Sequence, residues 1–210
     1  MRLRKRKWVD PLINSDKEFI LNNTFDYDNF ILEIGMGMGD FIIESASLNP
    51  NELYIGLEKD RTCVGKVIRK LKELNIKNVK ILLADASNLI EIIKENSVKH
   101  IYLHFSDPWP KKHHHKRRLT YPSFLALYEK ILKDNGFITF KTDNDLLFED
   151  SLLYINESNF CIVDKNINYH EIKREEPMTA YERKFVDIGT PIKYLLLKKE
   201  IKKVLIKDYF

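Results

Sequence analysis

Five short apolar runs, Phe30–Ile34, Leu53–Glu58, Val79–Ala84, His100–Ser106 and Phe137–Lys141, alternate with amphipathic stretches through the middle of the chain. Runs of this length, rich in Ile, Leu and Phe, suit strands buried on both faces of a parallel sheet. Between them, Lys66–Leu74 sets Val67, Ile68, Leu71 and Leu74 on one helical face with lysines on the other. Ser123–Leu132 does the same with Phe124, Leu127, Tyr128, Ile131 and Leu132, and Asn135-Gly136 is the expected stop. Strands alternating with helices through right-handed crossovers predict an α/β fold built on a doubly wound, mostly parallel sheet. Ligands of such sheets bind at the carboxyl ends of the strands, near the point where strand order reverses.

Chemistry-bearing residues fall at those ends. The first run leads into Glu33-Ile34-Gly35-Met36-Gly37-Met38-Gly39-Asp40. Gly35, Gly37 and Gly39 let the chain turn tightly and bring bare backbone against a ligand, just before a helix N-terminus. A dinucleotide fingerprint would place its third glycine at position 40, which is Asp40 here. Glu33 would repel a pyrophosphate but attract the sulfonium and amino group of S-adenosylmethionine. Glu58 ends the second run, about 20 residues past the glycines, where an acid accepts hydrogen bonds from both ribose hydroxyls of an adenosine. Asp85 ends the third; its carboxylate can accept from an adenine amine while the small Ala86 admits the ring. Each acid alone could be a helix N-cap. Together they resemble the class I methyltransferase arrangement, which implies a Rossmann-like sheet of seven strands.

The net charge of +4 is concentrated rather than spread. Arg2, Arg4, Lys5, Arg6 and Lys7 form one cluster, and Lys111, Lys112, Lys116, Arg117 and Arg118 another. Those ten of the 35 basic residues leave 25 against 31 acids, a body of net −6 with two positive patches suited to phosphates. Residues 1–29 therefore read as a basic N-terminal arm and 30–210 as the catalytic domain. No stretch approaches the ~18 apolar residues of a membrane span. Trp8-Val9-Asp10-Pro11 interrupts any secretory signal, and Cys63 and Cys161 sit far apart, so a reduced, cytoplasmic protein without structural zinc is expected.

The fourth run ends in Asp107-Pro108-Trp109-Pro110, a stiff acidic and aromatic loop entering the second basic patch. Asp107-Pro108-Trp109-Pro110-Lys111-Lys112-x-His114-x-Lys116-Arg117-Arg118 closely resembles the signature of the bacterial tRNA (guanine-N7)-methyltransferases. Phe140-Lys141-Thr142-Asp143-Asn144 and Thr179-Ala180-Tyr181-Glu182-Arg183-Lys184-Phe185 are similar to that family's other motifs, so the likeness runs from Glu33 to Lys193. The segment before the first strand is short for the family.

The resemblance implies methyl transfer from S-adenosylmethionine to N7 of a guanine in tRNA, guanine 46 of the variable loop. It implies cofactor contacts from Glu33, Glu58, Asp85 and Asp107, and guanosine contacts from Lys111, Asp143, Thr179, Tyr181 and Glu182. His113, His114, His115, Lys116, Arg117 and Arg118 would meet the RNA. Adjacent histidines cannot all turn toward one ion, so no metal is expected at His113–His115. A monomer or homodimer is expected.

Guanine N7 has an exposed lone pair and needs no general base, so alignment and charge placement are the enzyme's task. Asp107 would favour the cation developing on the base, and Asp143 would select guanine through its N1–H. Two other readings remain open at this stage. An exocyclic-amine methyltransferase would carry a loosely similar Asp-Pro-Pro-aromatic loop, and a non-catalytic RNA-binding protein could keep this fold.

Overall fold

The computed structural model describes residues 7–21, 25–172 and 176–200. Among them, seven strands form one sheet in the order β3-β2-β1-β4-β5-β7-β6. The first five are β1 (Phe30–Ile34), β2 (Tyr54–Leu57), β3 (Val79–Leu82), β4 (Val98–His104) and β5 (Leu132–Thr142). They pair in parallel with their neighbours. Then β6 (Phe160–Asn166) and β7 (Lys193–Lys199) follow, with β7 antiparallel to both β5 and β6. Strand order reverses between β1 and β4. The loops leaving those two strands diverge there and open a crevice at the sheet's carboxyl edge.

Helices cover both faces. On one lie α1 (Val9–Ser15), α2 (Asp40–Leu48) and α3 (Arg61–Glu73), packed on Ile31, Ile81 and Val79. On the other, α4 (Leu89–Ile92), α5 (Pro122–Ile131) and α6 (Asp145–Asn156) pack on Phe30, Leu32 and Ile34. Successive residues of β1 thus feed opposite cores, as a strand's period of two requires. A short α7 (Ala180–Asp187) precedes β7.

Helix α3 begins earlier than its lysine-rich pattern predicts, because Asp60 caps it by accepting from the backbone N–H groups of Thr62 and Cys63. Val64, Val67, Ile68 and Leu71 are fully buried, whereas Leu74, expected on the same face, lies past the last turn and is exposed. Helix α5 starts with Pro122 at its first turn and stops at Ile131, ahead of the glycine expected to end it. Asn135 (φ +63°) instead sits in a bulge of β5, where the pairing with β4 jumps from Val98–Leu132 to His100–Phe137.

The described part of the expected N-terminal arm lies against the domain. Val9 and Ile13 are buried against α3, and Arg69 stacks on the Trp8 ring at 3.6 Å. Phe19–Leu21 runs parallel to the open edge of β3: the Ile81 N–H donates to Phe19 O at 2.7 Å and the Leu21 N–H to Ile81 O at 2.9 Å. That pairing covers an edge otherwise open to aggregation. Arg2, Arg4, Lys5 and Arg6 lie outside the described residues.

Candidate active site

The glycine turn folds as its sequence demands. Gly35, Gly37 and Gly39 have φ of +79°, +53° and +73°, all in the left-handed region that side chains resist. At Gly39, the N-cap of α2, a Cβ would also stand 2.7 Å from Val67 Cγ2. At Gly35 and Gly37 the space a Cβ would fill is open. Gly35 offers its bare backbone to a cleft of about 650 Å³. Gly35, Glu58, Asp85, Ala86, Asp107 and Trp109 all line that cleft.

Glu58 is oriented from two sides. Its Oε2 accepts the Gly37 N–H at 3.0 Å, and its Oε1 accepts the N–H groups of Lys59 and Asp60 at 2.8 Å each. The carboxylate thereby ties the end of β2 to the glycine turn. Asp85 caps the short 3-10 turn Ala86–Asn88, accepting from Ser87 N–H at 3.0 Å and Ser87 Oγ–H at 2.9 Å. The Ser87 backbone hydrogen bond and nearby Lys59 hold its carboxyl below the ordinary value, in spite of burial. So Asp85 is an N-cap and a cleft wall at once.

Glu33 is placed differently from its neighbours. It points to the α2 side of β1, is 2% exposed, and does not line the cleft. Its Oε1 lies 3.5 Å from Nδ1 of His104, which does line it. Burial, with Asp40 and Glu58 nearby, pushes the Glu33 carboxyl well above its usual range. Burial, with Lys141 and His100, holds His104 well below its own. Both shifts favour neutral groups, so the contact is between an acid and an imidazole rather than two ions. Glu33 Oε2, both His104 ring nitrogens and Ser106 Oγ are buried without a hydrogen-bond partner. Unpaired polar atoms cost about 1–3 kcal/mol each. His104 and Ser106 face the cleft, so a polar ligand there would satisfy them. These groups, with the open glycine backbone, fit the amino-acid and nucleoside ends of S-adenosylmethionine. A sequence signal for His104 existed: His100, Tyr102 and His104 alternate along β4 and form one polar stripe.

Beyond β4 the backbone is strained at two non-glycine positions, Phe105 (φ +50°) and Trp109 (φ +41°), which bracket Ser106-Asp107-Pro108. Each costs on the order of 1–3 kcal/mol and persists only because surrounding contacts enforce it. Asp107 is exposed on the cleft side of this loop. The basic run follows as a 3-10 helix, Lys112–Arg117. Lys116 and Arg117 reach the cleft, with the Arg117 guanidinium 5.0 Å from the Trp109 ring centre. Lys111 is exposed at the helix entry, outside the cleft wall.

The three histidines take separate surroundings. His113 is exposed and meets His114 edge to face at 4.0 Å, and His114 stands against the Trp109 ring. His115 turns inward, sharing a 3.0 Å hydrogen bond with Arg118. Arg118, expected at the RNA surface, is completely buried, and its contacts are all internal. Nothing in a run of five cations distinguishes it, because its partners are supplied by the fold.

The remaining predicted residues gather beside β5. Asp143 follows β5 directly, and its charge raises the Tyr181 hydroxyl pKa, second to burial. Tyr181 is 47% exposed and packs on Phe105 at 5.1 Å, which places it beside the strained loop. Thr179 caps α7 by accepting the Glu182 N–H at 2.9 Å. Glu182 is fully buried: its Oε1 takes the Lys141 ammonium at 2.9 Å and lies 2.7 Å from His170 Nε2. Its Oε2 has no partner.

The family model described as "Putative methyltransferase" matches residues 28–195. The tRNA (guanine-N(7)-)-methyltransferase of Staphylococcus carnosus (strain TM300) is 40% identical over 203 residues, covering 91% of this chain and 96% of that protein. That of Staphylococcus aureus (strain JH9) is 41% identical over 203 residues, covering 91% and 95%. The fold is similar to that of the 16S rRNA methyltransferase KamB, with a TM-score of 0.62 at 14% identity over 83% of this chain and 89% of that one. An rRNA methylase from Streptococcus thermophilus gives 0.55 at 17% identity over 95% and 99%. Both solved structures bear on the fold alone, a class I methyltransferase sheet in which β7 runs antiparallel to both of its neighbours, β5 and β6. The identity to the staphylococcal proteins, along nearly the whole chain, makes this a member of the tRNA (guanine-N7)-methyltransferase family.

Proposed function

We propose that the protein transfers a methyl group from S-adenosylmethionine to N7 of guanine in tRNA, at guanine 46 of the variable loop. One observation carries the reading: a single cleft brings Gly35, Glu58 and Asp85 together with Asp107, Trp109 and the cations Lys116 and Arg117. Nucleoside-binding acids and phosphate-binding cations converge on one acidic loop.

S-adenosylmethionine supplies an electrophilic methyl group on a sulfonium. Glu58 accepts from the ribose and Asp85 from the adenine amine, while Ala86 leaves room for the ring and Gly35 and Gly37 present backbone. Glu33 acts from behind the cleft wall, through His104. Asp107, held on its strained loop, faces the base and offsets the positive charge that develops on it. A Lys or Arg at N7 would block the attacking lone pair, and an acid does not.

Asp143 and the exposed Tyr181 lie on the β5 side of that loop, where Asp143 accepts from guanine N1–H. Adenine has no matching donor. Glu182 is buried, so Thr179 and Glu182 act by setting the entry of α7 and the pose of Tyr181. Lys111 meets the guanosine from the entry of the 3-10 helix, and His113, His114, Lys116 and Arg117 meet the RNA. Among the described residues no helix is long and apolar enough to cross a membrane, and both cysteines are free thiols, which suits a cytoplasmic enzyme.

The test is incubation with unmodified tRNA and labelled cofactor, followed by mapping of the methylated nucleoside. The label should appear as 7-methylguanosine at the variable loop. A tRNA with 7-deazaguanine at that position should bind yet accept no methyl group. Methylation of the deaza substrate there would refute the N7 assignment.

A further inference from the structure

Arg118 closes the basic run, yet it is wholly buried and its guanidinium joins three separate segments. Nε donates to Pro108 O at 2.8 Å, and Nη2 lies 3.5 Å from Trp109 O. Nη1 pairs with Asp150 of α6 at 2.5 Å, and Nη2 contacts His115 Nε2 at 3.0 Å. The two carbonyls belong to the end of the loop that carries Asp107, next to the left-handed Trp109. A planar fork of fixed donors can hold carbonyls and a carboxylate in one geometry, which a single ammonium cannot.

Asp150 matters because of where α6 begins. Asn144 caps that helix by accepting the Leu147 N–H at 2.8 Å, so Asp143 is fixed to the helix start. The Arg118–Asp150 pair therefore ties the loop bearing Asp107 to the helix whose first turn positions Asp143. Lys116 and Arg117, two and one residues earlier, reach the cleft instead.

We propose that Arg118 is a positioning residue for methyl transfer. It clamps the Asp107–Trp109 loop to α6 and so fixes the acid facing the reacting base relative to the acid reading its edge. The inference rests on the function proposed above. It also divides the basic run: Lys116 and Arg117 bind RNA, while Arg118 holds the loop they flank.

The test uses the full chain with unmodified tRNA and cofactor, comparing Arg118→Lys and Asp150→Asn with wild type. Each variant is also made with Trp8→Phe, which leaves Trp109 as the only tryptophan of the two in the sequence. Loss of the clamp should lower kcat at saturating tRNA by about tenfold to a hundredfold, the usual cost of misplacing a reacting group by about an ångström. KM for tRNA and its salt dependence should stay put, and Trp109 fluorescence should become easier to quench with acrylamide. Lys116→Ala and Arg117→Ala should differ in kind, each weakening tRNA binding and flattening the salt slope by about one unit.

If charge were all that mattered, Arg118→Lys would match wild type, and the proposal would be overturned. A slope one unit shallower with unchanged kcat would also overturn it and return Arg118 to the RNA surface. Should Arg118→Lys fail to fold, Asp150→Asn still reports the same kcat and quenching. If wild type methylates no tRNA guanine, the proposed function falls, and the quenching of Trp109 alone decides whether the clamp exists.

Discussion

Lys141 and Glu182, 41 residues apart in sequence, meet at 2.9 Å in the interior, with side chains 2% and 0% exposed. The pair fastens α7 to β5, and the Lys141 ammonium also lies 4.5 Å from the Tyr169 ring centre. Buried ions are tolerable together and costly apart. Lys141→Met should therefore destabilise the protein by about 3–5 kcal/mol, because it strips the ammonium from a fully buried carboxyl group and leaves His170 as the remaining partner of its Oε1. Replacing both, as Lys141→Met with Glu182→Leu, should recover much of that loss. Urea unfolding of the three variants checks this; a single variant as stable as wild type would mean the pair carries no stability.

Glu58 should prove decisive for cofactor and dispensable for RNA. On the proposed function, Glu58→Ala removes charge-assisted hydrogen bonds to the ribose, worth about 1.5–3 kcal/mol. It also frees the Gly37 N–H that Glu58 now holds at 3.0 Å. Calorimetry should show cofactor affinity down by about tenfold to a hundredfold, with tRNA binding retained. Unchanged cofactor affinity would mean the nucleoside sits elsewhere.

Asp107→Asn keeps the shape of the loop and removes its charge. The fold, cofactor affinity and tRNA affinity should persist, while kcat falls by roughly a hundredfold to a thousandfold, or about 2.7–4 kcal/mol of barrier. Single-turnover rates separate this from slow product release. A variant reacting at full speed would leave Asp107 without an electrostatic role.

Stability should decline in acid partly through His100. Burial, with Lys99 nearby, lowers its pKa from 6.5 to about 4. The unfolded chain therefore binds a proton between about pH 6.5 and pH 4 that the folded chain refuses. Stability is full above that window and falls as pH drops through it, by at most about 1.4 kcal/mol per pH unit for this one group. His100 shares a 2.8 Å hydrogen bond with Thr139 Oγ1, which Gln can keep. His100→Gln should show a shallower loss of melting temperature across the same window; an identical slope would assign the acid sensitivity to other groups.

Much of this protein could be read directly from residue order. The five parallel strands were legible because each is an apolar run between amphipathic helices, and the glycine turn because glycine takes φ of +79°, +53° and +73° without the strain a side chain would add. Asp85 and Glu58 were legible as strand-end acids, since a strand delivers its last side chain to the sheet edge. The antiparallel β6 and β7 did not stand out: β6 is an edge strand whose Val163 is 52% exposed, and it lacks the apolar continuity of the others. Residues 7–21 read as part of a basic arm because their apolar side chains gain meaning only against α3 and β3.

Arg118, Glu182 and Glu33 mark the boundary most sharply. Each is a charged residue type in a motif that sequence assigns to a ligand, and each is buried. The sequence by itself determined the five parallel strands, where the turn favours glycine, and which strand ends carry acids, because these depend on local backbone and side-chain preferences. Only the tertiary structure decided which charges face the cleft and which hold it together. That choice depends on partners far along the chain, Asp150 for Arg118 and Lys141 for Glu182, and on the dehydration that makes those pairings necessary.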